Sequence, residues 1–278
     1  MDVLRYTAFS DDPAGGNPAG VVLDATDRSA AEMLHVAAEV GYSETAFLVG
    51  GSGSDREVRY FSPLAEVPFC GHATIATAVA HADAHGTGEL HLSTPSGQVD
   101  VATRRNDDGT ITATLTSVAP HTEPITDGDL ERLLAALRWS GHDLDPALPP
   151  RVGYAGARHP IIAAVSRARL ADLDYDYPAL GALMAERDWT TVQLVWRESV
   201  DVFHARNPFP PGGVVEDPAT GAAAAALGGY LRDLDLVDPP AAVTIHQGHD
   251  MGRPSLLTVT VSAEPGSGIG VTGTAVRL

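Results

Sequence analysis

Residues 200–230 read VDVFHARNPFPPGGVVEDPATGAAAAALGGY, and residues 58–80 read VRYFSPLAEVPFCGHATIATAVA. Each stretch runs from a strand-like alternation through a Pro-containing loop with an acid. Each then reaches a turn of Gly and small residues and enters an Ala-rich helix. A duplicated α+β unit explains this echo, with equivalent helix starts facing each other across a cleft. Composition alone can also make two Ala-rich helices look alike, and that rival explanation stands beside it.

Working outward, strand-like segments fall at DVLRYTAF, VVLD, ETAFLV, EVRYF, ELHLST, QVDVAT and TITATLTSV. DDPAGGNPAG reads as a turn-rich loop, and GSGSD as a hairpin connection. Residues 29–39, SAAEMLHVAAE, form a helical pattern with Met33, Val36 and Ala37 on one face. HATIATAVAHA is a second helix, and residues 119–127, APHTEPITD, read as a linker. Beyond it come the helix GDLERLLAALRW, the hairpin RVGYAGARHPIIAAV and the helix PALGALMAER. Strands follow at TTVQLVW, SVDVFHA, AVTIHQG, SLLTVTV and IGVTGTAV. The expected division is therefore residues 1–118 and 119–278.

The 278 residues are 44% hydrophobic, enough for one large or two medium cores. A net charge of -18 disfavours nucleic acid or an anionic membrane as partner. No stretch approaches the roughly 20 apolar residues that a membrane-crossing helix needs. The start MDVLRYTAFSDDPAGG has neither a basic opening nor an apolar secretory segment. A cytoplasmic setting is the expectation, with no nucleic-acid or membrane partner. Cys70 is the single cysteine, so no intrachain disulfide forms.

The helix starts at Gly71, Ala73, Gly221 and Ala222 have small side chains that let a ligand approach the backbone. Unsatisfied N–H groups there attract a carboxylate or phosphate. A helix packed tightly on a sheet welcomes the same residues. Asp217 likewise reads in two ways. It is an N-cap with Pro218 at the first helical position, or a carboxylate that takes part in proton transfer. Glu44 enters an apolar strand, where burial suits a group that carries a proton near neutrality; a solvated strand end is the plain alternative. His72 is a neutral hydrogen-bonding residue or a local capping contact. Cys70 is an activated thiolate or a small core residue. His81 with His85, and His246 with His249, have helix or turn spacing but no third metal ligand nearby, so no metal is assigned. The GSGS and GSG segments lack the helix and lysine of a phosphate loop, so no nucleotide is assigned.

With these residues in place, the chain resembles the PhzF-like isomerases of phenazine biosynthesis, within the diaminopimelate-epimerase superfamily. The matching pieces are AFSDDPAGGNPAGVV, GYSETAFL, RYFSPLAEVPFCGHATIATA, EDPATGAA and QGHDMGRPSLLTVTV. The resemblance implies an α+β fold of two similar domains, each a curled, mostly antiparallel sheet or barrel around a central helix. It places the active site between the domains and returns the last strand to the first domain. It also implies a homodimer and cofactor-free proton relocation in a small carboxylate-bearing molecule. The general acid/base then maps onto Glu44, with His72 and Asp217 as its catalytic companions. Asn17, Gly71, Ala73, Gly221 and Ala222 map onto substrate binding.

One departure stands out. The family's serine after EDPATG falls at position 222, which here is Ala222. A lost hydroxyl is worth roughly 0.5–1.5 kcal/mol, and it puts the phenazine intermediate in question as the substrate. Racemases of the superfamily use two opposed cysteines, whereas here the second position is Pro218. With Cys70 alone, a two-thiol racemase is excluded, and Cys70 lines the site or packs beneath it. A lyase, cyclase or tautomerase using the same Glu is the second reading. A non-catalytic small-molecule binder is the third.

Overall fold

The computed structural model describes all residues from Met1 to Leu278. They gather into two compact units, one of Met1–Thr116 with Thr272–Leu278 and the other of Ser117–Val271.

The first unit contains β1 (Leu4–Ala8), β2 (Asn17–Val22), α1 (Ala30–Val40), β3 (Glu44–Ser52), β4 (Asp55–Phe61) and β5 (Glu66–Val67). It continues with α2 (Gly71–His85), β6 (Glu89–Thr94), β7 (Gly97–Arg105) and β8 (Ile111–Thr116). The chain's last strand, β17 (Gly270–Arg277), reaches back to this unit. Pairing runs β17–β1–β2–β3–β4–β6–β7–β8, and β8 meets β17 again, so the strands close on themselves. The β2–β3 and β4–β6 pairs are parallel and the other resolved registers antiparallel. Closure removes sheet edges that would otherwise invite pairing with other chains.

Helix α2 is what the strands wrap around. It packs on β1, β2, β3, β7 and β8, and His72 through Ala80 are all buried. A helix buried on every side carries small apolar residues all round rather than a stripe, and ATIATAVA has that composition. By contrast, α1 lies on the outer face with Met33 and Ala37 buried against Val22, Phe47 and Phe61. Val36 joins them only partly buried.

The second unit repeats this order. It holds β9 (His121–Pro124), α3 (Asp127–Leu137), β10 (Arg151–Tyr154), β11 (Arg158–Ala163), α4 (Arg167–Ala171) and α5 (Tyr177–Arg187). Then follow β12 (Gln193–Arg197), β13 (Val202–Pro208), β14 (Glu216–Asp217), α6 (Gly221–Asp233), β15 (Ala241–Gln247) and β16 (Ser255–Val261). The pairs β10–β11, β12–β13 and β15–β16 are antiparallel, and β11–β12 and β13–β15 parallel. The same alternation links β1 to β7 in the first unit, with β5 and β14 as matching two-residue strands just before the buried helix. Repetition of pairing order, and not only of Ala content, favours the duplicated unit over coincidence.

Helix α6 is buried from Ala223 to Leu231. Its Gly228 faces the sheet so closely that an added Cβ would lie 2.7 Å from Val259 Cγ1 and 2.8 Å from Ile269 Cγ2. A separate apolar cluster under α3 and α5 includes Leu133, Leu137, Trp139, Leu180, Met184 and Leu194.

Two segment readings are corrected. Residues 119–127 are not a linker: His121–Pro124 forms a short, largely exposed strand antiparallel to β10, with His121 opposite Tyr154 and Pro124 opposite Arg151. The loop DDPAGGNPAG ends early, since Asn17 to Gly20 already pair with β1. Gly and Pro suppressed the strand signal there. Gly20 is needed because an added Cβ would sit 2.6 Å from Thr45 Oγ1.

Candidate active site

Four of the helices begin with a side-chain cap: Ser29 on α1, Thr126 on α3, Ser166 on α4 and Asp176 on α5. The two buried helices do not. Cys70 and Thr220, at the N-cap positions of α2 and α6, make no side-chain cap bond. A helix start without a protein cap leaves its first N–H groups for solvent or a ligand.

In the first unit, the parallel strands β2 and β3 begin at the same end. Asn17 opens β2, Glu44 opens β3, and Ala19 is the register partner of Glu44. Asn17 is buried. The start of α2 comes to this rim and brings His72 Nε2 within 3.4 Å of Glu44 Oε2. His72 Nε2 also lies 3.4 Å from Ser43 Oγ. The Cys70 thiol donates to Glu44 Oε2 at 3.5 Å, and its sulfur lies 3.4 Å from His72 Nδ1. His72 is 6% exposed and the Glu44 side chain 16%, so one carboxylate edge remains reachable from solvent.

The backbone beneath is anchored by Thr74, whose hydroxyl donates to the Cys70 carbonyl at 2.7 Å and bonds the buried Tyr60 hydroxyl at 2.7 Å. Burial pushes the Tyr60 phenol well above its ordinary range. Gly71 and Ala73 flank His72 in the first turn, Ala73 fully buried and Gly71 partly open. Cys70 therefore joins the Glu44 group and does not pack beneath it. His72 contacts the side chains of Ser43, Glu44 and Cys70.

In the second unit, Asp217 is not the N-cap of α6. It lies in β14, paired with Asn207, and the helix starts at Gly221 after Thr220. Pro218 accordingly precedes the helix. The reason is a hydrogen-bonded knot: the Thr220 hydroxyl donates to Asp217 Oδ2 at 2.5 Å, and Gln247 Nε2 donates to the Asp217 carbonyl at 2.8 Å. Gln247 Oε1 accepts from the Thr220 N–H at 3.2 Å. Asp217 is 8% exposed, while Gly221 and Ala222 stay partly open in the first turn. One residue earlier, Glu216 makes a buried two-pronged pair with Arg206, which also donates to the Ala171 carbonyl.

Ser43, Thr220, Gln247 and the Arg206–Glu216 pair were not singled out from sequence. The available signal was position: Ser43 adjoins Glu44, Thr220 lies inside EDPATG, and Gln247 ends an apolar alternation before a glycine. Among metal-ligand candidates, Glu44, Cys70 and His72 alone bring their ligand atoms within 4.8 Å of one another. A cavity of about 300 Å³ lined by Arg56, His81, His85 and Glu89 lies by the far end of α2 and holds none of the candidate residues.

The chemistry available to the first unit is proton transfer: a reachable carboxylate, a buried imidazole and a thiol in mutual contact. That of the second is recognition, with helix N–H groups beside a fixed carboxylate.

The chain is similar to known proteins along nearly its whole length. The phenazine biosynthesis-like protein family matches residues 6–278. The trans-2,3-dihydro-3-hydroxyanthranilate isomerase of Pseudomonas chlororaphis is 34% identical over 256 residues, 90% of this chain and 86% of that protein. An uncharacterized isomerase, YddE of Escherichia coli K12, is 33% identical over 288 residues, covering 99% of this chain and 96% of its own. The crystal structure of a PhzF-family phenazine biosynthesis protein from Bacillus anthracis superposes with a TM-score of 0.89 at 25% identity, over 100% of this chain and 98% of that one. The chain belongs to the phenazine biosynthesis-like family, as an isomerase of the PhzF type with an epimerase-like fold.

Proposed function

We propose that the chain is a cofactor-independent isomerase that moves a proton within a small conjugated amino or hydroxy acid, with Glu44 as the proton carrier. The observation that supports this most is the Glu44 carboxylate held 3.4 Å from His72 at an uncapped helix start. Glu44 takes a proton from an activated carbon, the electron pair moves into the conjugated system, and the protonated Glu44 returns the proton to another carbon. His72 hydrogen-bonds a polar substituent and orients the carboxylate. Asp217 holds a second polar group, and the N–H groups of Gly221 and Ala222 receive the acid. Asn17, Gly71 and Ala73 complete the binding surface. The same reading includes a cytoplasmic setting and a homodimer; sizing of the purified chain checks the dimer.

Ala222 favours a second reading, in which the same Glu44 serves a lyase, cyclase or tautomerase on a related acid. Relatives named only as isomerases, such as YddE, leave room for substrates other than the phenazine intermediate. The deciding experiment is proton NMR in deuterated water with trans-2,3-dihydro-3-hydroxyanthranilic acid, beside a Glu44→Gln control. Conversion that stops in the control supports the isomerase reading. A folded wild-type chain that leaves this acid unchanged sends the search to other conjugated acids.

A further inference from the structure

We propose that the cavity at the far end of α2 is a binding site for a small phosphate-bearing molecule, held by Arg56, His81 and His85. The site does not rest on the isomerase reading, because none of its residues belongs to the Glu44 or Asp217 groups. At 1.5 Å per residue, the two ends of α2 lie roughly 20 Å apart. Arg56 carries the inference. Along β4 it alternates with the exposed Asp55 and Glu57 and shares a face with the buried Val58 and Tyr60. Tyr60 reaches Thr74 of α2, and the register partner of Arg56 in β6 is the fully buried Leu92, so this is the inner face of the closed sheet. A position that the alternation reserves for an apolar residue therefore holds a guanidinium. Its Nη2 donates to the Leu23 carbonyl at 3.2 Å, its Nε is buried with no acceptor, and no carboxylate pairs with it. A partly desolvated cation without a counterion is costly, although the chain has 36 acidic residues against 18 basic ones to supply a partner.

His81 and His85, one helical turn apart, line the same cavity with their ring centroids 4.6 Å from each other. Burial first, then His85 and Arg56, hold His81 below the ordinary imidazole range, so it is neutral at pH 7 while the cavity is empty. The carbonyl end of α2 stabilises a protonated imidazole in its last turn, where His85 stands. The acids nearby are engaged or turned away. Asp83 accepts from the Tyr6 hydroxyl at 3.0 Å. Glu89 is the one acid in the cavity wall, and on β6 it alternates with the buried Leu90 and shares the outer face with His91.

These groups select the ligand. A guanidinium fork matches two oxygens of a phosphate. Two imidazoles that gain protons beside a dianion add charge that a single carboxylate does not use. The Ser54 hydroxyl in the same wall is a further donor. About 300 Å³ has room for a phosphate with a small organic body, and a net charge of -18 disfavours a polyanion. Bound phosphate raises the pKa of both imidazoles. Binding therefore takes up protons and strengthens as the pH falls from about 8 to about 6.

The test is calorimetric titration of the purified chain with inorganic phosphate and with sulfate, which keeps its double charge across this pH range. Wild type should bind one equivalent of either ion, and sulfate more tightly at the lower pH. Arg56→Gln should weaken phosphate binding about tenfold or more. His81→Gln should reduce both the affinity and its pH dependence. Arg59→Gln removes the same charge from the same strand, but Glu66 holds that guanidinium through two bonds of 2.7 Å. It should change the affinity by less than about twofold. Circular dichroism checks each variant, and His85→Gln, at an exposed position, removes a donor without disturbing the core. No saturable binding of either ion by the folded wild type overturns the proposal, as does an affinity left unchanged by both His81→Gln and His85→Gln. Equal losses in Arg56→Gln and Arg59→Gln would reflect overall charge and overturn it as well. Malonate bound more tightly than phosphate overturns the phosphate class.

Discussion

Gln247 holds Asp217 by its backbone, donating from Nε2 to the Asp217 carbonyl at 2.8 Å while its Oε1 takes the Thr220 N–H at 3.2 Å. The side chain is 1% exposed, so water cannot replace it when it is removed. Gln247→Leu strands a carbonyl and an N–H, and each such buried group costs about 1–3 kcal/mol. The expected result is a lower urea midpoint together with slower substrate deuteration, since Asp217 loses its fixed position. A Gln247→Leu chain with the wild-type midpoint would show that the knot contributes nothing to stability.

The Arg206–Glu216 pair sets the residue just before Asp217. Its side chains are 10% and 4% exposed, so removing one partner leaves an uncompensated buried charge. Glu216→Leu alone should destabilise by about 3–5 kcal/mol. The double change Arg206→Met, Glu216→Leu should recover much of that, because apolar pairs of similar volume often match a buried ion pair. Four unfolding curves complete the cycle. A double variant no more stable than Glu216→Leu would mean that the Arg206 bond to the Ala171 carbonyl matters more than the pair.

Much of this was legible in the sequence. The strands ELHLST and SLLTVTV coincide with β6 and β16 as read, because their alternation is the burial pattern itself. Glu44 and His72 could be named as a pair only through the family motifs, since nothing local brings β3 to the start of α2. Two things stayed hidden for physical reasons. Strand β9 is short, exposed and holds a proline, so it looks like a linker until its partner β10 is known. Asp217-Pro218 mimics a capped helix start, whereas Asp217 pairs with Asn207 in β14 and is bonded by Thr220 and Gln247, and the helix starts at Gly221. Cys70 was read as a lining or packing residue, and its contacts with both Glu44 and His72 depend on a helix start that composition does not fix.

Gly228 tests how closely α6 fits its sheet. Alanine normally improves a helix interior over glycine by about 1 kcal/mol. Here the added methyl group meets Val259 and Ile269 at under 3 Å, and overpacking of a core typically costs about 1–3 kcal/mol. Both neighbours are β-branched and stiff, so the steric cost should win. Gly228→Ala is expected to lower the melting temperature, and Gly228→Ala combined with Val259→Ala to regain part of the loss. A single variant more stable than wild type would show that the helix can shift outward.

His159 links stability to pH. It is fully buried, its Nδ1 lies 2.9 Å from the Thr191 hydroxyl, and burial pushes its pKa down from 6.5 to about 4. Below pH 6.5 the unfolded chain gains a proton that the folded chain refuses until about pH 4. The unfolded state is favoured throughout that interval, so stability is full above pH 6.5 and falls as the pH drops toward 4. The loss attributable to this group is on the order of 3 kcal/mol. His246 and His249 are also lowered, by burial and by His204, and act in the same direction. Asp129 and Asp143 are held below the ordinary carboxylate range, by a hydrogen bond from Arg187 and by the Ser140 backbone N–H, so their contributions are lost at lower pH. Urea midpoints between pH 7 and pH 4, measured for wild type and His159→Gln, separate these groups. The variant should start less stable at pH 7 and change less on acidification; parallel curves would remove His159 as the source.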